Sequence, residues 1–165
     1  MKFSGAALLW ITFTLMGMKV TSLLKKRVNV LEESVIFLDA LITEIEFSKT
    51  DIISVLSKFS NESSMKNLTF LSSIADFGYE SIFYSRWKYA LDSFTYYKSD
   101  EKEKMLQLGS FLGTTDAKTQ ISTINLYKTF FEKYKNNAAA DFEKYGKSSS
   151  LFGLFLGASV FILLL

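Results

Sequence analysis

The side chains able to do chemistry in this 165-residue chain are carboxylates, hydroxyls and the nitrogens of Lys and Arg, because it has no His and no Cys. Glu44 and Glu46 are one place to look for an acid–base pair, since glycoside hydrolysis uses two carboxyl groups roughly 5 to 9.5 Å apart. Residues two apart on a helix point in different directions. Such a pair would need two separate helices, and nothing local proposes one. Asp116 follows Thr114-Thr115 where a helical pattern begins, which makes it a cap or a first-turn acid. Gly109-x-x-x-Gly113 lacks the Lys and Ser/Thr of a phosphate loop and the third Gly of a dinucleotide fingerprint. Its ordinary meaning is a close helix contact at Gly109 and a C-cap at Gly113. Trp87 lies in a Tyr/Phe-rich stretch and reads as core. No catalytic residue, cofactor-binding residue or metal ligand is assigned, and no cofactor is expected.

The two missing residue types exclude whole classes. Without Cys there is no disulfide framework, thiolate nucleophile or Cys-ligated metal. Without His, a Ser/His/Asp triad, a zinc protease site and a Glu-x-x-His di-iron bundle are closed. Pro is also absent and Gly numbers only eight, which favours long uninterrupted helices over a turn-rich β fold.

The elements that must position these residues are framed by two apolar ends. From Phe3 to Met18 no residue is charged, and apolar character resumes after Lys19 through Leu24. As a helix those 22 residues span about 33 Å, enough for a bilayer with slight tilt. Lys19 can snorkel to the headgroups. Ser148 to Leu165 is a further 18 residues without charge, about 27 Å as a helix. Lys25, Lys26 and Arg27 follow the first stretch, and Lys133, Lys135, Lys144 and Lys147 precede the second. Basic clusters beside a span stay in the cytosol. The expected division is therefore a transmembrane helix over 1–24, a cytosolic helical bundle over 25–147 and a transmembrane helix over 148–165. The competing assignment is an extracytoplasmic helical binding domain with a cleaved signal peptide and a C-terminal membrane anchor. A leader wants its charge ahead of the apolar stretch and small residues at a cut site. Only Lys2 precedes it, and no Ala-x-Ala lies near its end.

Residues 25–147 hold 17 Lys/Arg against 17 Asp/Glu, with the signs interspersed. A phosphate-tracking surface needs excess positive charge on one face, so no nucleic-acid partner is expected. The sequons at Asn61 and Asn67 are taken as chance.

Leu31, Val35, Leu38, Ile42 and Ile45 step by four and three, predicting a helix over about 28–48. Thr50-Asp51 starts a shorter one to Phe59, ended by the polar run Ser60 to Ser64. Leu68, Phe70, Leu71 and Ile74 suggest a third before Gly78. A fourth covers about Glu80 to Tyr97 with Ile82, Trp87, Leu91 and Phe94. Asp100-x-x-Glu103 resembles a capping box for a fifth closing at Gly113. The sixth runs from Thr115 or Asp116 to about Tyr145, with the stripe Ile121, Ile124, Tyr127, Phe131, Tyr134, Ala138, Phe142 and Tyr145. The fold class is thus all-α, about six cytosolic helices between two spans. Inside the second span, Gly153 and Gly157 lie one turn apart, which lets helix backbones approach closely, against the first span or another subunit.

Leu108-Gly109-x-x-Leu112-Gly113-x-x-Asp116-x-x-x-Gln120 is the most specific string. With Lys144-Tyr145-Gly146-Lys147 and Leu151 to Leu165 it resembles the stage III sporulation protein AB family. Leu41 to Phe47, with Thr50-Asp51-Ile52, is similar to that family's first cytosolic helix and turn, and Trp87 takes the place of its mid-chain tryptophan. The chain lacks the Pro the family often has after the Thr50 position. The resemblance implies a non-enzymatic scaffold of the channel complex between mother cell and forespore. That family is similar in turn to the platform proteins of type II secretion and type IV pilus machines. The implied setting is the mother-cell membrane facing the forespore, with the middle domain in the cytosol. Implied partners are a hexameric secretion-type ATPase like stage III sporulation protein AA, other channel subunits and further copies of the chain. Glu44, Gly109, Gly113, Asp116 and Gln120 are the motif positions, with structural or partner-contact roles.

Overall fold

The computed structural model describes residues 2–47, 51–75 and 82–164; Ser48, Thr50, Gly78 and Glu80, used above as helix boundaries, lie outside them. The helices are α1 (Lys2–Phe47), α2 (Ile52–Ser60), α3 (Phe70–Ala75), α4 (Phe83–Ser93), α5 (Ser99–Phe111), α6 (Ala117–Asp141) and α7 (Lys147–Leu164). A 3₁₀ turn at Ser63–Met65 precedes α3, and a π-helical turn at Phe142–Gly146 links α6 to α7. Among the described residues there is no strand. The chain divides into two compact units, Met1–Val28 with Asn136–Leu165, and Asn29–Lys135.

In the unit Asn29–Lys135, α1 buries Val30, Leu31, Val35, Phe37, Leu38 and Leu41. The predicted stripe through Leu31, Val35 and Leu38 is part of that face, but Phe37 and Leu41 widen it because neighbours cover the helix on more than one side. Phe37 touches Phe59 of α2, Phe70 of α3 and Trp87 of α4 with ring centroids 6.0, 6.2 and 6.3 Å away. Phe70 continues to Phe94 at 5.3 Å, and Tyr97 to Phe131 of α6 at 5.6 Å. Most of these pairs are edge-on, a geometry worth roughly 0.5–1.5 kcal/mol each beyond burial. This aromatic chain is the core that joins helices too short to be stable alone.

Polar side chains inside the unit are matched. Glu33, 9% exposed, accepts from the Asn67 backbone N–H at 2.7 Å and from its side-chain amide at 2.5 Å, fastening the segment before α3 to α1. Ser34 is buried and donates to the Val30 carbonyl at 2.7 Å. Its single proton is used there, so the Tyr97 hydroxyl, 2.6 Å away, is the donor to Ser34 Oγ. Burial pushes the Tyr97 hydroxyl far above the usual tyrosine range; the bond to Ser34 opposes it, and Glu101 and then Glu33 add smaller upward pushes.

Three helix ends differ from expectation. The box at the start of α5 uses Glu101, whose Oε2 accepts from the Lys98 N–H at 2.8 Å. Helix α5 starts at Ser99, so Glu101 takes the third position, while Glu103 accepts from Gln107 on the surface at 3.0 Å. Helix α4 ends at Ser93 rather than Tyr97, because Phe94 turns extended and both it and Tyr97 direct their rings into the core. Asp51, expected as a first-turn acid behind a Thr50 cap, is itself the cap of α2, accepting from Ile53 N–H at 3.1 Å.

In the other unit, the first part of α1 lies antiparallel to α7. A Cβ placed on Gly17 would come 2.5 Å from the Ser149 carbonyl oxygen; on Gly153, 2.6 Å from the Phe13 carbonyl; on Gly157, 3.0 Å from the Trp10 carbonyl. At Gly17 and Gly153 the facing backbone leaves room for hydrogen alone, while at Gly157 the Trp10 ring, 2.4 Å from such a Cβ, is the nearer obstacle. Thr21 Oγ1 donates at 2.6 Å to the Gly146 carbonyl in the π turn, where the regular helical ladder is interrupted. Beside this line of contact is an apolar cleft of about 280 Å³ lined by Trp10, Ile11, Thr14, Leu15 and Leu154. Among the described residues no helix is long and apolar enough to cross a membrane. The side chains of Phe3, Ala6, Leu9, Phe161, Leu163 and Leu164, and all of Leu165, are outside that set.

Candidate functional site

The sequence motif folds into the corner between α5 and α6. Leu108 and Leu112 are buried and anchor it to the core. At Gly109 the indole of Trp87 lies directly against the helix backbone, and a Cβ would run into its Cδ1, Nε1 and Cε2. Trp87 Nε1 donates to the Met105 carbonyl at 2.8 Å, one turn earlier on α5. Glycine is therefore required for the fit of a fully buried indole.

Gly113 ends α5 with φ of 75°, a left-handed conformation that costs a residue with a side chain about 1–2 kcal/mol. Its N–H donates to Gln120 Oε1 at 3.1 Å, and Gln120 Nε2 donates to the Thr115 carbonyl at 2.6 Å. One amide thus clamps both sides of the loop. Asp116 begins α6: Oδ2 accepts from the Thr119 N–H at 3.1 Å and Oδ1 from the Thr119 hydroxyl at 2.6 Å. The hydroxyl, then the N–H, hold the Asp116 carboxyl below the usual carboxylate range. The outer side of the corner, with Phe111, Thr114, Thr115 and Lys118, is exposed.

Gly109, Gly113, Asp116 and Gln120 thus come together, and Glu44 does not join them. Glu44 pairs with Lys58 across α1 and α2, and that hydrogen bond, followed by the Glu44 charge, raises the Lys58 pKa. Glu46 remains exposed. Gly153 and Gly157 lie in the α1/α7 contact of the other unit. Sequence reading passed over Gly17, Thr21 and Glu33. Gly17 carries a visible signal, a second small residue to match Gly153, whereas nothing local marks Glu33 as the partner of Asn67.

Chemically the corner is a backbone brace. Both oxygens of Asp116 and both ends of the Gln120 amide are engaged in holding the turn. Among the described residues no group of three or more acidic side chains is placed to hold a metal ion. These features define an all-helical protein whose motif residues shape a rigid exposed corner. The chain belongs to the stage III sporulation protein AB family, whose model matches residues 2–165, and its role is sporulation-related. No curated protein and no solved structure gives a significant match.

Proposed function

We propose that this chain is a non-enzymatic platform subunit of the channel complex between mother cell and forespore. It is anchored in the mother-cell membrane by its first 24 and last 18 residues, with residues 25–147 in the cytosol docking a hexameric secretion-type ATPase. The observation that carries this reading is the segregation of the chain. Two terminal stretches, charge-free over residues 3–18 and 148–165, belong to one compact unit, with α1 lying on α7 through Gly17, Gly153 and Gly157. Small residues at a helix contact are the usual way helices associate within lipid, where apolar surface gives no drive to pair. Large apolar side chains point outward from this pair, among them Leu8, Met16, Phe152 and Phe155, each more than half exposed. The basic residues Lys25 to Arg27 favour the cytosolic side for the bundle. A segment packed on α7 also has a use in the folded chain that a cleaved leader lacks, which favours anchorage over the extracytoplasmic alternative.

The exposed α5–α6 corner supplies a rigid surface for docking, since a braced loop loses little conformational entropy on binding. The test is a reporter fused near Ser63, together with co-purification of the ATPase with the full chain. The reading expects reporter activity in the cytosol and recovery of the ATPase in the membrane fraction. A chain that stays dissolved without detergent, or a reporter active only beyond the membrane, overturns it.

A further inference from the structure

The boundary between the two units splits the charge unevenly. The unit Met1–Val28 with Asn136–Leu165 carries seven Lys/Arg against two Asp/Glu, a net charge of +5. Asn29–Lys135 carries twelve against fifteen, a net charge of −3. The chain total of +2 conceals this separation.

Within the first unit the positive charge is gathered at one end. The register of the α1/α7 contact runs from Trp10 beside Gly157, through Phe13 beside Gly153 and Gly17 beside Ser149, to Thr21 beside Gly146. One turn further on, Lys25 comes level with the π turn that carries Lys144, the two separated by about one helical turn or less along the axis. Lys19, Lys25 and Lys144 are exposed. Lys144 Nζ stands 5.1 Å over the ring of Tyr145, which is itself exposed. With Lys26 and Arg27 against Asp141 and Glu143, residues 19–28 and 141–146 form a belt of net charge +3. Toward the other end, Lys2 is the one charged side chain before Lys19, and none follows Lys147.

We infer that this belt is a binding site for the phosphate groups of anionic phospholipids, so that the protein selects acidic lipid at the membrane surface. The inference rests on the membrane anchorage proposed above. Lys ammonium groups on flexible stems suit a headgroup phosphate, and a Tyr beside them suits the boundary between headgroups and acyl chains. Each basic residue near an anionic surface strengthens attraction roughly fivefold. Asn29–Lys135, with its net negative charge, gains nothing from such a surface, so the preference belongs to the belt.

The experiment places the full chain in vesicles of equal phosphatidylglycerol and phosphatidylcholine, extracts it gently, and measures retained lipid by mass spectrometry. Flotation with pure phosphatidylcholine vesicles is scored in parallel. The expected result is insertion into both vesicle types, with phosphatidylglycerol retained over phosphatidylcholine by at least about tenfold. That excess should fall toward parity in Lys25→Gln/Lys144→Gln and at high salt. Insertion without any lipid preference, or a preference unchanged in the double variant, overturns the headgroup site while leaving anchorage intact. Inorganic phosphate displacing the retained lipid at millimolar concentration points to a free-anion site and also overturns it. Failure to float with either vesicle overturns anchorage and this inference together.

Discussion

Replacing Gly109 by Ala tests the packing of the motif most sharply, because helix propensity and packing predict opposite signs. Alanine in a helix interior is better than glycine by about 1 kcal/mol, so a helix judged alone becomes more stable. Here the new Cβ meets the Trp87 ring, which is fully buried and cannot swing into solvent. Moving the ring breaks the bond from Nε1 to the Met105 carbonyl and leaves a buried donor unpaired, costing about 1–3 kcal/mol. Overpacking adds roughly another 1–3 kcal/mol. After the propensity gain, Gly109→Ala should destabilise the bundle by about 1–5 kcal/mol. The assay is urea unfolding of the full chain in mild detergent, followed by far-ultraviolet circular dichroism, which reads the transition with or without Trp87. In a Trp87→Leu background the clash is relieved and the same substitution should stabilise, or be neutral. A stable Gly109→Ala variant carrying Trp87, or an equal loss in both backgrounds, would refute the contact.

Gly113→Ala meets no neighbouring atom, so its cost should be backbone strain alone, about 1–2 kcal/mol, with Gly113→Asn milder; unfolding midpoints give the order. Because the Tyr97 hydroxyl is raised above its unfolded value by burial, its contribution is fully present below about pH 10. It is lost as pH rises further, by up to about 1.4 kcal/mol per pH unit, and Tyr97→Phe should flatten that slope in unfolding titrations. Asp116 has the opposite sign: its lowered pKa gives stability that is present above the unfolded carboxylate value and lost as pH falls through the folded one. Asp116→Asn should remove that acid-side dependence. Gly153→Leu, forced against the Phe13 carbonyl, should part α1 from α7 and be seen as a shift in Trp10 emission, while Trp87 emission stays unchanged.

The helical class, the helix order and the family were legible in the chain itself, since they depend on local spacing. Leu31, Val35 and Leu38 mark a helix face by their steps alone, Asp51 announces a helix start, and Gly109 to Gln120 carries the family string. The capping box at α5 was misplaced by two residues because several acids crowd that start, and only the bond to Lys98 N–H selects Glu101.

Composition, periodicity and motif order thus determined the helical class and the family, because helix formation and motif spacing are properties of consecutive residues. Tertiary structure decided what the marked residues do. It set Trp87 on Gly109, Gln120 across the loop, Lys58 on Glu44, Asn67 on Glu33 and Gly17 against α7. Apart from Gln120 these partners are 14 or more positions apart, and no pattern within one helix encodes which distant backbone will come within a hydrogen's width. The same holds for charge: the sequence shows a nearly neutral chain, and only the division into units reveals a cationic part and an anionic one.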